Sequence, residues 1–400
     1  MIAAADESEA GSLGEIARVF LKLGFLAFGG PAAHTAMMQD ELVRRRGWLS
    51  EAEFLDAVAA VQVVPGPNST ELAIHMGQLR GGFRGLLVAG ACFIGPAVLI
   101  ILPLAMLYAY VGGMGQAQRE GLAFVMHGVS AAVLGVILVA GLRLMRGAVK
   151  TPLHVILLLA AGAIALLVPG RFQPEIIALG LAAIVAIAAD LARQAPVAVI
   201  ALPLAAGEPA DWLRLAGFFL KVGGTLFGSG YVLVNYLQSG LTDGGLGWLS
   251  EQQVLDAIAV GQVTPGPLLT TSTFAGYLIG IDTFGHGVGG AIGTALLATA
   301  AMFLPAFLFV ALLGPMLDHL RRRPWAKAML AGMGAAAVGL ILAVVVSLSD
   351  DVLLPAGAVD GPNLTIAAVT TGLMLWRNVN ATWLIGGAVM IAVARLLLLP

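Results

Sequence analysis

The sequence predicts an all-α integral membrane protein with two repeats of inverted topology, each with about five spans and one re-entrant helical hairpin. Three observations predict this fold class. Hydrophobic residues make up 59% of the 400 residues and charged residues only 11%, where soluble domains carry about 25% charge. Long apolar runs recur along the chain, and a 21-residue block returns 200 residues later. In each copy, Pro-Gly-Pro separates two segments too short to span a membrane.

The composition also excludes several classes of function. A mean hydropathy of +0.94 is incompatible with a soluble or a disordered chain. A net charge of -2 gives no basic surface for nucleic acid. The lone Cys92 excludes a disulfide framework and a thiolate-rich metal site. Because no zinc spacing, Walker loop, nucleophile elbow or dinucleotide fingerprint is present, we expect no metal, no cofactor and no enzyme.

The apolar runs are continuous rather than alternating, which predicts membrane helices and not a barrel. No signal peptide is expected, because the acidic Asp6, Glu7 and Glu9 occupy the place of a basic n-region. Two hydrophobic stretches, at Ile16–Met38 and Leu213–Leu237, are interrupted by glycine. The predicted full spans are Leu86–Tyr110, Leu122–Leu142, Leu153–Val168, Ile176–Ala189, Gly289–Leu313, Met329–Leu348, Leu364–Trp376 and Trp383–Leu399.

An internal repeat divides the chain. Residues 47–67 and 247–267 are identical at 14 of 21 positions without a gap. Duplicated halves are typical of secondary transporters. The sequence therefore predicts a first repeat over 12–193, a linker over 194–210 and a second repeat over 211–400.

Each repeated block predicts a re-entrant hairpin. Ser50 with Glu53, and Ser250 with Gln253, form capping boxes that begin a helix. Pro-Gly-Pro ends that helix, and its second proline suits the first turn of the next. Non-helical backbone inside a membrane survives only where protein or a water-filled cavity surrounds it. We call the two Pro-Gly-Pro turns, 65–67 and 265–267, the first and second tips.

The charge pattern predicts that the halves are inverted in the membrane. Arg44–Arg46 precede the first hairpin, whereas the equivalent loop of the second half has Asp243 and no basic residue. Further along, the basic cluster is in the second half, at Arg321–Arg323. Equivalent loops thus change sides under the positive-inside rule.

The tips are the main candidates for substrate binding. A helix N-terminus with free amides binds anions, and neutral hydroxyl and amide donors allow release. Helix capping and packing of Ser and Thr are the alternative explanation. The tip candidates are Pro65, Gly66, Pro67, Asn68, Ser69, Thr70, Pro265, Gly266, Pro267, Thr270 and Thr271.

Other repeated or isolated polar positions complete the candidate set. Gly29 and Gly30 break the first helix, which indicates either a binding site or close helix packing. Lys22 and Lys221 would attract an anion or extend to the interface. Gln62 and Gln262 would orient the tip, donate to substrate or form a hydrogen bond to a neighbouring helix.

The candidates for proton coupling are Glu71, His34 and His75, which lack counterparts in the second half. For a lone histidine, a structural role is the alternative. Asp56 and Asp256 are interpreted as complements of a helix dipole.

These motifs resemble the chromate ion transporters. The resemblance rests on Phe20–Gly24, Phe28–Pro31, Gly47-Trp48 with Phe54, and Gln62–Pro67, and in the second half on Phe219–Gly223, Gly247-Trp248 and Gln262–Pro267. It covers essentially the whole chain. In the second half, Phe-Gly-Gly-Pro becomes Phe-Gly-Ser-Gly at 227–230, and Val254 replaces the phenylalanine that follows Gly-Trp. In the first half, the Phe-x-Leu-Pro-type turn of the family reads Phe93-Ile94-Gly95-Pro96. These departures leave room for a specificity other than chromate.

The resemblance implies a secondary transporter of the bacterial inner membrane that exports chromate and gives chromate resistance. Sulfate, a similar tetrahedral dianion, is expected as competitor or alternative substrate. The protein is expected to lie in a lipid bilayer, and the sequence leaves open whether it forms a homodimer. The alternatives are a carrier of sulfate or another small anion, a passive anion channel, and a membrane enzyme acting on a phosphorylated lipid, although no acid–base pair for the last is evident.

Overall fold

A computed structural model describes residues 12–27, 31–61, 64–66, 68–113, 116–169, 173–191, 211–226, 232–243, 245–313, 323–354, 358–377, 379 and 381–398. Within these ranges the regular structure is helical, without a strand. The predicted linker over 194–210 lies outside them. Four helical stretches are long and apolar enough to cross a membrane: Ser69–Gly112, Phe124–Ala148, Val288–Leu312 and Pro324–Asp350. The chain is therefore a multi-pass membrane protein.

The helices follow the apolar segments of the sequence. Each of the eight predicted full spans falls on a helix. The first half contains α1 (Leu13–Leu26), α2 (Pro31–Met38, continued by a π-helical segment Gln39–Arg45), α3 (Glu51–Val61), α4 (Ser69–Gly112), α5 (Gln116–Ala148), α6 (Pro152–Leu167) and α7 (Pro174–Leu191). The second half contains α8 (Asp211–Thr225), α9 (Val232–Leu241), α10 (Glu251–Val263), α11 (Thr271–Leu278), α12 (Val288–Leu313), α13 (Pro324–Leu353), α14 (Gly361–Trp376) and α15 (Ala381–Leu398).

Both predicted capping boxes are present. The Ser50 amide donates to Glu53 Oε2 at 2.7 Å, and the Glu53 amide donates to Ser50 Oγ at 3.3 Å. In the second half, the Ser250 amide donates to Gln253 Oε1 at 2.9 Å, and the Gln253 amide donates to Ser250 Oγ at 3.2 Å. These reciprocal bonds satisfy amides that the first turn leaves free, so α3 and α10 begin where the sequence predicts.

After each tip the chain forms a short helix and then turns back. In α4 the turn is at Gly81 and Gly82, where Gly82 has φ of 57° and ψ of -150°. A Cβ built on Gly77 would lie 2.3 Å from the Cβ of Ala89, a closeness that a straight helix could not give to residues so far apart. In the second half, a Cβ on Gly276 would lie 2.7 Å from the Cβ of Ala298. Small residues thus let each short arm pack closely on the long helix that follows.

The two halves interlock through equivalent glycines. Gly135 on α5 packs on α14, where a built Cβ would lie 2.9 Å from the Ala367 carbonyl oxygen. Gly339 on α13 packs on α6, where a built Cβ would lie 2.1 Å from the Leu158 carbonyl oxygen. Each long helix therefore packs against a helix of the opposite half. One apolar core, which includes Val133 and Ile341, is formed by both halves.

Candidate functional site

Each tip is hydrogen-bonded to the opposite half of the protein. The Gly66 amide donates to the carbonyl of Leu226 at 2.6 Å, and the Gly266 amide donates to the carbonyl of Ala27 at 2.9 Å. Ala27 and Leu226 occupy equivalent positions, directly after α1 and α8. The sequence indicated the tips and the helix breaks as separate candidates. The structure brings the first tip to the end of α8 and the second tip to the end of α1.

The tip backbone has a conformation that glycine favours. Gly66 has φ of +140° and Gly266 has φ of +98°, values that residues with a Cβ rarely adopt. Space is also restricted, because a Cβ on Gly266 would lie 2.8 Å from the Cβ of Ala97. Pro65, Pro265 and Pro267 are buried beside them. Both tips are therefore closely packed turns inside the protein.

His34 connects the two tips. Its Nε2 lies 3.0 Å from the carbonyl oxygen of Ala27, and its Nδ1 lies 3.2 Å from Oγ of Ser69. Since a carbonyl can only accept, Nε2 carries the hydrogen, and the neutral ring accepts at Nδ1 from the Ser69 hydroxyl. The Ala27 carbonyl also accepts from Gly266. His34 therefore links Ser69, at the start of the helix after the first tip, to the Ala27 carbonyl, which also accepts the hydrogen bond from the second tip.

The hydroxyl groups of the two tips are used differently. Thr270 and Thr271 donate to the carbonyls of Pro267 and Leu268, at 2.6 and 2.7 Å. Thr70 Oγ1 is fully buried and has no hydrogen-bond partner among the described residues. These contacts favour a local structural role for Thr270 and Thr271 and leave Thr70 as an available donor.

Two donors near the second tip are likewise unused. Ser272 Oγ and Gln262 Nε2 are buried and lack hydrogen-bond partners within the part of the chain that the structure describes. Asn68, at the N-cap of α4 with φ of +43°, makes no capping bond through its side chain. Capping therefore does not account for Asn68. The Ser272 hydroxyl and the Gln262 amide need an explanation, because buried polar groups without partners are rare.

Glu71 lies directly at the first tip. A Cβ built on Gly66 would lie 1.7 Å from Glu71 Oε1, so the carboxyl group occupies the space beside that glycine. Glu71 is fully buried, and neither carboxyl oxygen has a hydrogen-bond partner in the described ranges. His75, one helical turn further on, is also buried.

The two equivalent lysines have different surroundings. Lys22 Nζ lies 2.6 Å from Glu41 Oε2, and the other oxygen of Glu41 accepts from Arg46 at 2.8 Å. Burial favours a higher pKa for Glu41, but the hydrogen bonds from Lys22 and Arg46 outweigh it and lower the pKa. The Lys221 ammonium lies 5.3 Å from the centre of the Phe218 ring. Lys22 is thus part of an ion pair, which favours a structural role.

Asp256 has a role that sequence reasoning missed. Asp256 is buried, accepts from the Tyr108 hydroxyl at 2.5 Å and from Gln252 Nε2 at 2.7 Å. These bonds give Asp256 a role beyond the predicted complement of the helix dipole. Tyr108 lies on α4 of the first half, so this bond joins the halves. No short-range pattern could have revealed it, because the partners are distant in sequence.

Four predicted site residues, Gly29, Gly30, Gln62 and Pro67, lie outside the described residues. Among the described residues, no group of three or more His, Cys, Asp or Glu side chains is arranged to hold a metal ion. The described part of the site consists of neutral donors, two tips that each bond to the opposite half, and the buried carboxyl group of Glu71.

Comparison with known proteins identifies relatives over most of the chain. A family model described as chromate transporter matches residues 14–188 and 213–393. A chromate transport protein of Cupriavidus metallidurans is 32% identical over 397 residues, covering 95% of this chain and 92% of the relative. A probable chromate transport protein of Synechococcus elongatus is 33% identical over 349 residues, covering 84% of each. A chromate transport protein of Pseudomonas aeruginosa is 31% identical over 381 residues, covering 90% of this chain and 86% of the relative. No solved structure matches the chain.

Proposed function

The chain belongs to the chromate transporter family, and on that premise we propose that it is a secondary active transporter that exports chromate across the bacterial inner membrane. Its relatives are named as transport proteins. Export would keep the cytoplasmic concentration of a toxic oxyanion low and so give chromate resistance.

The observation that carries the proposal is the reciprocal pairing of tips and broken helices. Gly66 bonds to Leu226, and Gly266 bonds to Ala27. Two equivalent bonds, each running from one half to the other, are expected when a pseudo-two-fold axis relates inverted repeats. This arrangement supports two re-entrant hairpins whose tips meet near the bilayer midplane. Non-helical backbone is tolerated there because protein surrounds it.

The chemistry at the tips suits a tetrahedral dianion. Thr70, Ser272 and Gln262 offer buried donors without protein partners among the described residues, and an oxyanion supplies acceptors in several directions. The start of α4 adds the positive end of a helix dipole. Neutral donors bind an anion more weakly than fixed charges do, which permits release on the other side. Asn68, Ser69 and Lys221 are proposed to complete the surroundings of the anion.

Alternating access would follow from rocking one repeat against the other around the tips. The bonds of Gly66 and Gly266 cross between the repeats, so these bonds would have to rearrange during the movement. The anion would then be exposed to the two sides of the membrane in turn.

The test is chromate uptake into inside-out vesicles that contain this protein, with vesicles lacking it as the control. We expect accumulation that a protonophore abolishes and that excess sulfate reduces. Flux without accumulation against a gradient would indicate a passive channel. Sulfate uptake without chromate uptake would change the assigned substrate, and absence of both from correctly inserted protein would contradict the proposal.

A further inference from the structure

Glu71 is a fully buried acidic side chain in the first turn of α4, beside the first tip. Both carboxyl oxygens are buried and have no hydrogen-bond partner among the described residues. No ion pair within 4.0 Å involves Glu71 in the described ranges. An ionised carboxylate in such a place costs much more free energy than the neutral acid, because water and counter-charge are both removed.

The position of Glu71 links this cost to the anion. Glu71 follows Thr70, whose buried hydroxyl is unused, and its carboxyl group lies beside Gly66 of the first tip. A carboxylate here would repel an oxyanion bound at the same tip, and burial strengthens that repulsion. The neutral acid would not repel the anion and would add one O–H donor to the site.

We propose that Glu71 is a proton-binding site linked to the anion site at the first tip, so that the protein takes up a proton when it binds an oxyanion. In this step, a proton from water joins one oxygen of the Glu71 carboxylate to give the carboxylic acid. The inference rests on the proposed function, because it needs an anion at the tip. It adds to the anion site a proton-binding residue, Glu71.

Most charged groups on the neighbouring helices are paired or exposed. On α1, Glu15 is paired with Arg46, and Arg18 is exposed. Lys22 on α1 is paired with Glu41, and Asp256 on α10 is bonded to Tyr108 and Gln252. On α3, Glu51 and Glu53 are exposed, and the side chain of Asp56 is not described. Helices α11 and α12 contain no acidic or basic residue. The charged or titratable residues of α5 are Arg119 and Glu120, whose side chains are not described, the half-buried His127, and Arg143 and Arg146 near its end.

His34 on α2 is the main competitor for the proton. Its ring contacts Ser69 and Ala27 at the same tip, so a proton on His34 would also favour an anion. The two sites differ in one respect, since the nitrogens of His34 have partners and the oxygens of Glu71 have none among the described residues. Variants can separate the two sites.

The experiment is calorimetric titration of the purified full-length protein with sulfate over a range of pH. Sulfate is the probe because chromate itself takes up a proton near neutral pH, whereas sulfate does not. Two oxyanion-free buffers with different ionisation enthalpies report the protons taken up per anion by the unmodified protein. We expect uptake approaching one proton, and an affinity that falls about tenfold per pH unit above the transition.

Three variants assign the proton. In Glu71→Gln, a neutral isostere of the acid, the affinity should be independent of pH and close to the low-pH value. Asp256→Asn, a buried carboxyl of the other half, should keep the original dependence. Loss of the dependence in His34→Gln but not in Glu71→Gln would overturn the assignment, and so would binding that needs Na⁺ instead of a proton.

The outcomes separate this inference from the function on which it rests. Sulfate binding without proton uptake would overturn the proton site and leave an anion transporter. If neither sulfate nor chromate binds to the folded protein at any pH, both the tip site and the proton site are overturned. If Glu71→Gln fails to fold, the His34→Gln variant decides: a retained pH dependence supports Glu71, and a lost one overturns the assignment.

Discussion

The carboxyl group of Glu71 fills the space in which a side chain at Gly66 would lie. The built Cβ of Gly66 would be 1.7 Å from Oε1 and 2.4 Å from Cδ of Glu71. The glycine is required here for two reasons, its φ of +140° and the closeness of the acid. The first tip and its acid therefore form one unit, although they belong to the loop and the helix respectively.

Gly66→Ala should reduce chromate transport strongly, because the methyl group can fit only if Glu71 moves. Gly95→Ala is the matched control, since a Cβ at Gly95 meets no atom within 4 Å. Uptake into inside-out vesicles, normalised to protein in the membrane, is the measurement. Equal transport by the two variants would show that the tip geometry is not critical.

Thr70→Val should reduce transport and leave thermal stability nearly unchanged, because Thr70 Oγ1 makes no hydrogen bond to the described residues. Thr270→Val is the comparison, since its hydroxyl donates to Pro267 at 2.6 Å. That variant should lose about 1 kcal/mol of stability. Uptake and thermal unfolding in detergent, measured on both variants, test this contrast. Unchanged transport in Thr70→Val and in Asn68→Leu would remove the first tip from the substrate site.

His34→Phe should reduce both stability and transport, because it removes the bonds to Ser69 and Ala27 while keeping a ring. Two buried hydrogen bonds correspond to about 2 kcal/mol. His34→Gln, whose amide can both donate and accept, should restore part of each property. Thermal unfolding and chromate uptake are the measurements. If His34→Phe is as stable and active as the unmodified protein, His34 does not hold the two tips together.

Tyr108→Phe should destabilise the protein by about 2 kcal/mol, because it removes a charge-assisted hydrogen bond to the buried Asp256. A double-mutant cycle with Asp256→Asn isolates the pair. The single variants should then lose more in sum than the double variant loses. Additive losses in thermal unfolding would mean that the two side chains do not stabilise each other.

Lys221→Gln should lower the affinity for chromate more than Lys22→Gln does. Lys22 is paired with Glu41 at 2.6 Å, whereas Lys221 forms no ion pair within 4.0 Å among the described residues. Lys221 interacts electrostatically with Glu175, but only at longer range, and a cation without a close partner attracts an anion more strongly. The concentration dependence of uptake measures this difference, and a larger effect of Lys22→Gln would reverse the assignment.

The sequence was sufficient for features that depend on local chemistry. Ser50 with Glu53 predicted a capping box because the partners are three residues apart. The apolar runs predicted the long helices because a span needs about 20 apolar residues. The sequence also identified the tips, since proline and glycine end a helix regardless of the rest of the fold.

Contacts between distant residues could not be predicted in this way. Asp256 has the same local signal as Asp56, yet only the fold places the Tyr108 hydroxyl against it. Lys22 is an anion candidate on sequence alone, and only the fold places Glu41 beside it. In both cases the environment of a charge depends on helix packing, which a local pattern does not encode.

By itself, the sequence determined a helical membrane protein with two related halves, two Pro-Gly-Pro turns and a small set of polar residues around them. Only the tertiary structure decided that each turn bonds to the opposite half, and that Thr270 is satisfied while Thr70 and Glu71 are not. The physical reason is that a hydrogen bond depends on the distance and angle between two groups, which residue types alone do not determine. Composition fixes which groups must leave water, and packing fixes which of them find a partner.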